Sequence, residues 1–172
     1  MPINKQTTDI DDLEQFDDAF VDPKSDIIVE VYYRKDGRRV YVYNKDELDV
    51  LRLSDSNLEK DKPFKCIRVR MRELNWGLHN DINECAITRN EEGDRYFNLK
   101  IFKETKLLKT IIEWNLTSKD ISGKYSPLKL TPKNIGNLHQ NIVEKIIIEY
   151  DRQCVLPEEE LKKLESGRIS TS

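Results

Sequence analysis

Basic side chains are the strongest candidates for chemistry in this sequence, and the chemistry that they suit is the binding of anions. They form two groups: Arg34, Lys35, Arg38 and Arg39 in the first, and Arg68, Arg70 and Arg72 in the second. If the two groups are adjacent in the fold, they make a patch that contacts phosphates or an acidic partner. Nearby acids such as Glu30 and Glu73 neutralise part of that charge.

Residues that commonly bind metals or activate nucleophiles are few. Neither histidine, His79 nor His139, has a neighbour in an HExxH, HxH or HxxxH pattern, so no zinc site is expected. His139 adjoins an apolar helical stripe, which favours a packing or capping role. His79 precedes Asn80-Asp81 in a superficially nuclease-like order, but no further metal or phosphate ligands accompany it.

Cysteine and glycine spacing excludes further classes of site. Cys66, Cys85 and Cys154 include no CxxC pair, which argues against a zinc ribbon or a disulfide framework. The glycines form neither GxGxxG nor GxxxxGK, so no nucleotide site is supported. We therefore expect no catalytic residue, no metal and no cofactor, and interpret the chain as a non-enzyme.

Strand signals are concentrated in residues 27–72. The runs IIVEVYY and RVYVY are rich in β-branched and aromatic residues and flank the turn signal Asp36-Gly37, which predicts a β-hairpin over residues 27–44. Residues 64–72 alternate between apolar and basic side chains, which predicts a third strand with one basic face. Residues 45–62 are predicted to form a short helix or a loop.

After Leu74 the apolar period becomes that of a helix. Four helices are predicted: residues 75–89 behind the N-cap Asn75, residues 96–114 ending in Trp114, residues 132–150 opened by Thr131 and Pro132, and a short one from Pro157. The third has the strongest apolar stripe and must be buried against other elements.

These elements predict an α+β fold in which an N-terminal β-hairpin and a third strand precede a C-terminal bundle of three to four helices. A single domain would span residues 27–152, with strands in 27–72 and helices in 73–152, and residues 153–172 would form a short helix and a polar tail.

Residues 1–26 carry eight acids and two bases, which predicts an acidic disordered tail beside a body of net charge +3. No run of about 20 apolar residues and no signal peptide is found, so a soluble, intracellular protein is expected.

Two motifs in the second half look familiar. They are Trp114-Asn115-Leu116-Thr117 and the link Pro127-Leu128-Lys129-Leu130-Thr131-Pro132, and they lie between an LxWG-type helix around Trp76 and the helix through Tyr150. This order resembles the tail assembly chaperones of tailed bacteriophages over a little more than half of the chain. The sequence departs from that pattern in residues 119–125 and in its acidic tail.

The resemblance implies a non-enzymatic protein of the host cytoplasm that binds the tape measure protein and tail tube subunits before the tail polymerises. Candidate partner-binding residues are Arg34, Arg38, Arg39, Arg68, Arg70, Arg72, Trp76 and Trp114. The alternatives are a structural virion component, such as a connector or minor tail protein, and a small nucleic-acid-binding protein that uses the arginines. Self-association through the strands or the acidic tail also stays open.

Overall fold

The computed structural model describes residues 21–22 and 24–155. Residues 1–20 of the predicted acidic tail lie outside the described residues. The helix predicted from Pro157 lies outside them too. The described elements are, in chain order, β1 (Asp26–Asp36), β2 (Arg39–Tyr43), α1 (Lys45–Ser54), β3 (Lys65–Arg72), α2 (Trp76–Ala86), β4 (Ile87–Arg89), β5 (Arg95–Phe97), α3 (Leu99–Thr110), β6 (Ile111–Trp114), β7 (Thr117–Lys119), β8 (Tyr125–Pro127), α4 (Pro132–Gly136) and α5 (Gln140–Val155).

Antiparallel strands form a four-stranded sheet in the order β2-β1-β3-β6. β1 and β2 pair so that Asp36 lies opposite Arg39, which leaves Gly37 and Arg38 as a two-residue turn. Gly37 has a φ of +58°, the left-handed value that the first position of a type II′ turn requires. β1 pairs along its other edge with the whole of β3. The predicted hairpin and third strand are therefore confirmed.

The strand β6 corrects the predicted fold class. It pairs with β3 and places Trp114 opposite Val69, although the apolar pattern predicts these residues at the end of helix 96–114. The helix α3 instead stops at Thr110, because the β-branched and aromatic residues that follow suit an edge strand beside β3. The predicted order of strands followed by a C-terminal bundle of three to four helices is wrong, since helices and strands alternate along the chain.

Two short hairpins share one design that the sequence pattern did not predict. The pairs β4–β5 and β7–β8 each join two three-residue strands through five residues. The side chains of Asn90 and Asp120 accept a backbone N–H four residues later, at 2.8 and 2.9 Å. Gly93 and Gly123 supply φ values of +89° and +86° in the two turns. The hairpin β4–β5 replaces the end of the helix predicted over residues 75–89 and the start of the helix predicted over residues 96–114. The hairpin β7–β8 contains residues 119–125, where the sequence departs from the phage pattern.

The hydrophobic core lies between one face of the sheet and the helices α3, α4 and α5. The sheet contributes Val29, Val31, Val40, Ile67, Val69, Met71 and Ile111, and the helices contribute Leu107, Ile135, Ile142, Ile146, Ile147 and Tyr150. The hydroxyl of Tyr150 donates to the carbonyl oxygen of Arg72 at 2.7 Å, which joins α5 to the end of β3. None of the described helices is both long enough and apolar enough to cross a bilayer.

The helix predicted over residues 132–150 is divided in two. Its start is as predicted, with Thr131 as N-cap and Pro132 in the first turn, but α4 ends at Gly136. His139 lies at the break, where its Nδ1 accepts the backbone N–H of Asn141 at 3.2 Å at the beginning of α5. Of the packing or capping role predicted for His139, the structure shows capping, and the side chain is exposed.

Charged contacts join α1 to α5. The side chain of Asn44 accepts the N–H of Glu47, and the Glu47 carboxylate accepts the N–H of Asn44, each at 2.8 Å. Lys145 of α5 lies 2.7 Å from Glu47 and 3.0 Å from Glu149. Partial burial acts to raise the pKa of Glu47, but hydrogen bonds from Lys145 and the Asn44 N–H outweigh burial and hold this pKa below its ordinary value.

Candidate interaction surface

The side of β3 that faces away from the core carries three arginines. Ile67, Val69 and Met71 are buried in the core. Because successive side chains of a strand point to opposite faces, Arg68, Arg70 and Arg72 share the other side, as predicted. Ile28 and Glu30 of β1 lie opposite Arg70 and Arg68. We call Arg68, Arg70, Arg72, Ile28 and Glu30 the arginine face.

Carboxylates neutralise the middle of the arginine face. Arg70 lies 2.8 Å from Asp26 and 3.1 Å from Glu113. Arg68 reaches Glu30 only at 3.8 Å, with 61% of its side chain exposed. The side chain of Arg72 is exposed and makes no ion pair within the part of the chain that the structure describes. Positive charge is therefore accessible at the two ends of this row and not at its centre.

The two basic groups of the sequence do not form one patch. Arg38 and Arg39 lie at the turn of the β1–β2 hairpin, six residues along β1 from the level of Arg68, which corresponds to roughly 20 Å. Arg34 points onto the loop after α1, where it donates to the carbonyl oxygen of Leu58 at 2.7 Å and lies 4.6 Å from the centre of the Phe64 ring. Arg34 thus fixes a loop instead of offering a free charge.

The two tryptophans differ in what their side chains can contact. Trp114 is half-buried beside the core, and its indole N–H donates to the carbonyl oxygen of Leu128 at 2.6 Å. It therefore fixes the link before α4. Trp76 is 81% exposed at the first position of α2, directly after the N-cap Asn75. Arg72 is also exposed and precedes Trp76 by four residues, so their Cα atoms are at most about 14 Å apart. We call these two residues the Trp76 corner.

An apolar groove of about 860 Å³ lies where β2 leads into α1. Its apolar lining comes from Val42, Tyr43, Val50 and Leu51. β2 is an edge strand, and an extended segment can pair with such an edge while its side chains enter a neighbouring groove. Asn141 already donates to the carbonyl oxygen of Val40 at 3.1 Å and so satisfies one backbone group of this edge.

The groups capable of acid–base or thiol chemistry are dispersed. In the described residues, no three His, Cys, Asp or Glu side chains are placed to hold a metal ion. His79 is exposed, with its Nε2 2.9 Å from the side-chain nitrogen of Asn83. Burial raises the pKa values of the Cys66 and Cys154 thiols, whereas Cys85 is exposed.

The sequence pattern missed one exposed surface, on the hairpin β4–β5. Ile87 pairs with Phe97, and both are about half exposed, at 48% and 50%. Arg89 pairs with Arg95 on the same side of the hairpin. A usable signal was present, because Gly93 lies between two short runs that contain β-branched or aromatic residues. It was obscured by the helical spacing of the apolar residues on either side.

These features together describe a mixed α/β protein with exposed arginines, an exposed tryptophan and an apolar groove at a sheet edge. Comparison of the chain with protein-family models, with curated proteins and with solved structures finds no match in any of the three.

Proposed function

We propose that this chain is a non-enzymatic binding protein of phage tail morphogenesis, an assembly chaperone for the tape measure protein and tail tube subunits. The motifs around Trp114 and Pro127 supply the identity of the partners through the resemblance that they carry. The exposed surface supports the mode of action, which is contact with another protein.

The observation that carries the proposal is the exposure of Trp76. At 81%, this indole leaves most of an apolar side chain in water. Burying a tryptophan removes about 150–250 Å² from water, which at about 25 cal/mol per Å² is worth about 4–6 kcal/mol before the costs of association are counted. Tryptophan and arginine are the residue types most enriched among those that dominate protein interfaces. Trp76 and Arg72 are thus suited to act together in an interface.

The arginine face suits a partner that carries carboxylates. Arg68 and Arg72 are the accessible charges on it, because Arg70 is paired with Asp26 and Glu113. Exposed charges at the rim of an interface mainly accelerate association and make it sensitive to salt. We therefore expect binding to weaken as the salt concentration rises.

The test is co-purification of the full chain with the tape measure and tail tube proteins encoded in the same genome. Trp76→Ser and Arg72→Glu should each weaken the complex about tenfold or more, as expected for interface residues that contribute over 1.4 kcal/mol. The matched controls are Leu53→Ser on α1, where the side chain is 88% exposed, and Arg38→Glu at the hairpin turn. Both controls should bind as the unmodified chain does.

Three outcomes contradict the proposal. Capture of neither protein removes the assigned partners. Recovery of the chain at fixed stoichiometry from purified virions identifies a structural component instead. Salt-sensitive retention on DNA or RNA, lost in Arg68→Glu and Arg72→Glu, identifies a nucleic-acid-binding protein.

A further inference from the structure

Unpaired basic side chains are concentrated at one end of the four-stranded sheet. They are Lys35, Arg38 and Arg39 of the β1–β2 hairpin and Lys62 and Lys65 where the chain enters β3. All five are exposed, and none makes an ion pair within the described part of the chain. The two groups adjoin, because Tyr33 of β1 pairs with Lys65, and Arg34 donates to the carbonyl oxygen of Lys62 at 3.4 Å. We call these five residues the basic end.

The basic end keeps its positive charge when the acids within it are counted. Residues 35–39 have a net charge of +2 with Asp36 included. Residues 60–65 have a net charge of +2 with Asp61 included. This end of the sheet therefore attracts anions.

The residues beside the basic end do not reverse its sign. Glu59, in the loop before β3, is paired with Arg52 at 2.7 Å. Residues 137–141 lie against the hairpin, where Asn141 donates to the carbonyl oxygen of Val40 at 3.1 Å, and they contain no acid. The basic end is thus suited to a ligand with several anionic groups.

The N-terminal segment of the chain has the opposite charge. Residues 9–20 contain six acids and no base, and the side chains of residues 1–20 together carry a net charge of −5. Carboxylates accept strong, charge-assisted hydrogen bonds from guanidinium and ammonium groups. Charge complementarity therefore assigns residues 9–20 to the basic end.

The other basic surfaces of the molecule lack this net charge. On the arginine face, Arg70 is paired with Asp26 and Glu113. The hairpin β4–β5 has a net charge of −1 over residues 89–95, because three acids in its turn outnumber its two arginines. Neither surface competes with the basic end for an acidic segment.

A nucleic acid is the less suitable ligand for the basic end. The full chain has a net charge of −3, whereas nucleic-acid-binding domains are typically strongly basic. The acidic residues 9–20 also repel phosphates from every surface of the molecule. An acidic protein segment is therefore favoured.

The segment enters the sheet at the end opposite the basic end. Val21 lines a cavity together with Arg72, which lies opposite Asp26 at the start of β1. The basic end is at the other end of β1, roughly 33 Å away along the strand. Asp17 and Asp18 lie within about 14 Å of Val21, so they do not reach the basic end of their own chain.

From these charges and positions we infer that residues 9–20 of one copy bind the basic end of a second copy. Each copy then offers an acidic segment at one end of its sheet and a basic acceptor at the other. Such a head-to-tail contact repeats from copy to copy unless it closes into a ring. It is independent of the proposed phage partners.

Sedimentation velocity of the full chain tests this contact. At about 50 mM salt the average mass should rise with protein concentration, and about 1 M salt, where the screening length is about 3 Å, should return the chain to a monomer. Arg38→Gln with Arg39→Gln should weaken self-association about tenfold. Arg89→Gln with Arg95→Gln, the matched loss of charge on the hairpin β4–β5, should leave self-association unchanged.

A second variant neutralises the acidic segment in the full chain. Its substitutions are Asp9→Asn, Asp11→Asn, Asp12→Asn, Glu14→Gln, Asp17→Asn and Asp18→Asn. This variant alone should also self-associate at least tenfold more weakly. Mixed in equal amounts with the Arg38→Gln, Arg39→Gln variant, it should form pairs that do not extend further, because the mixture contains one intact segment for each intact basic end.

Three results overturn the inference. The first is an unmodified chain that stays monomeric at about 50 mM salt and high protein concentration. The second is self-association that persists unchanged in either variant, or a mixture of the two variants that forms no pairs. The third is a monomeric chain that binds a single-stranded oligonucleotide and loses this binding in Arg38→Gln with Arg39→Gln, because this result assigns the basic end to nucleic acid.

Discussion

The ion pair between Lys106 of α3 and Asp151 of α5 is asymmetric. The Lys106 side chain is 7% exposed, whereas that of Asp151 is 38% exposed. The Lys106 ammonium also lies 5.4 Å from the Phe102 ring centre and 5.7 Å from that of Tyr150. One partner of this pair therefore depends on the protein for its solvation, and the other still reaches water.

This asymmetry predicts different costs for the two single substitutions. Asp151→Asn leaves a buried ammonium without its anion, a change that costs about 3–5 kcal/mol at fully buried pairs. Partial access of water and the two rings reduce that figure here, so we expect about 2–3 kcal/mol. Lys106→Met keeps the apolar stem and leaves a carboxylate that turns to water, so the expected cost is below about 1 kcal/mol.

Urea unfolding at neutral pH measures both costs as shifts of the midpoint at constant slope. The double variant, Lys106→Met with Asp151→Asn, should be about as stable as Lys106→Met alone, because Asp151 has no buried charge left to compensate. An Asp151→Asn variant that is as stable as Lys106→Met, or more stable, refutes the reasoning.

Two further predictions concern pH and thiol reactivity. The pKa of Glu47 lies below its ordinary value, so its ionised form stabilises the fold at neutral pH and this contribution is lost as the pH falls through the folded-state pKa. Glu47→Gln should therefore lower the melting temperature at pH 7, and the difference should shrink below about pH 4.5; a difference independent of pH contradicts this. A thiol reagent at pH 7.5 should modify Cys85 rapidly and Cys66 and Cys154 slowly, because burial raises the pKa values of the last two; a fast phase that survives Cys85→Ser contradicts the assignment.

Local signals account for the parts of the fold that the sequence predicted correctly. The β1–β2 hairpin is encoded by β-branched runs on either side of Asp36-Gly37, and the arginine face by the alternation along β3. The capping residues Asn75 and Thr131 were recognisable because asparagine and threonine are preferred at the N-cap. In the structure, each side chain accepts a hydrogen bond from the backbone N–H three positions later.

The errors arose where distant residues decide the structure. Residues 111–114 fit both a helix end and a strand, and β3, some 40 positions earlier in the chain, provides the pairing edge that makes them a strand. The same distance conceals the neutralisation of Arg70, since its partners Asp26 and Glu113 lie far away in sequence on two other strands. No local pattern reveals that the two basic groups are separated along β1.

The most direct test of the proposed function is photo-crosslinking from position 76. A benzophenone amino acid replaces Trp76 in phage-producing cells, and mass spectrometry identifies the crosslinked protein. We predict adducts with the tape measure protein or the tail tube protein, and none of these when the same amino acid replaces the similarly exposed Leu53. Adducts with neither protein, or equal yields from positions 53 and 76, would contradict the proposal that the Trp76 corner binds tail components.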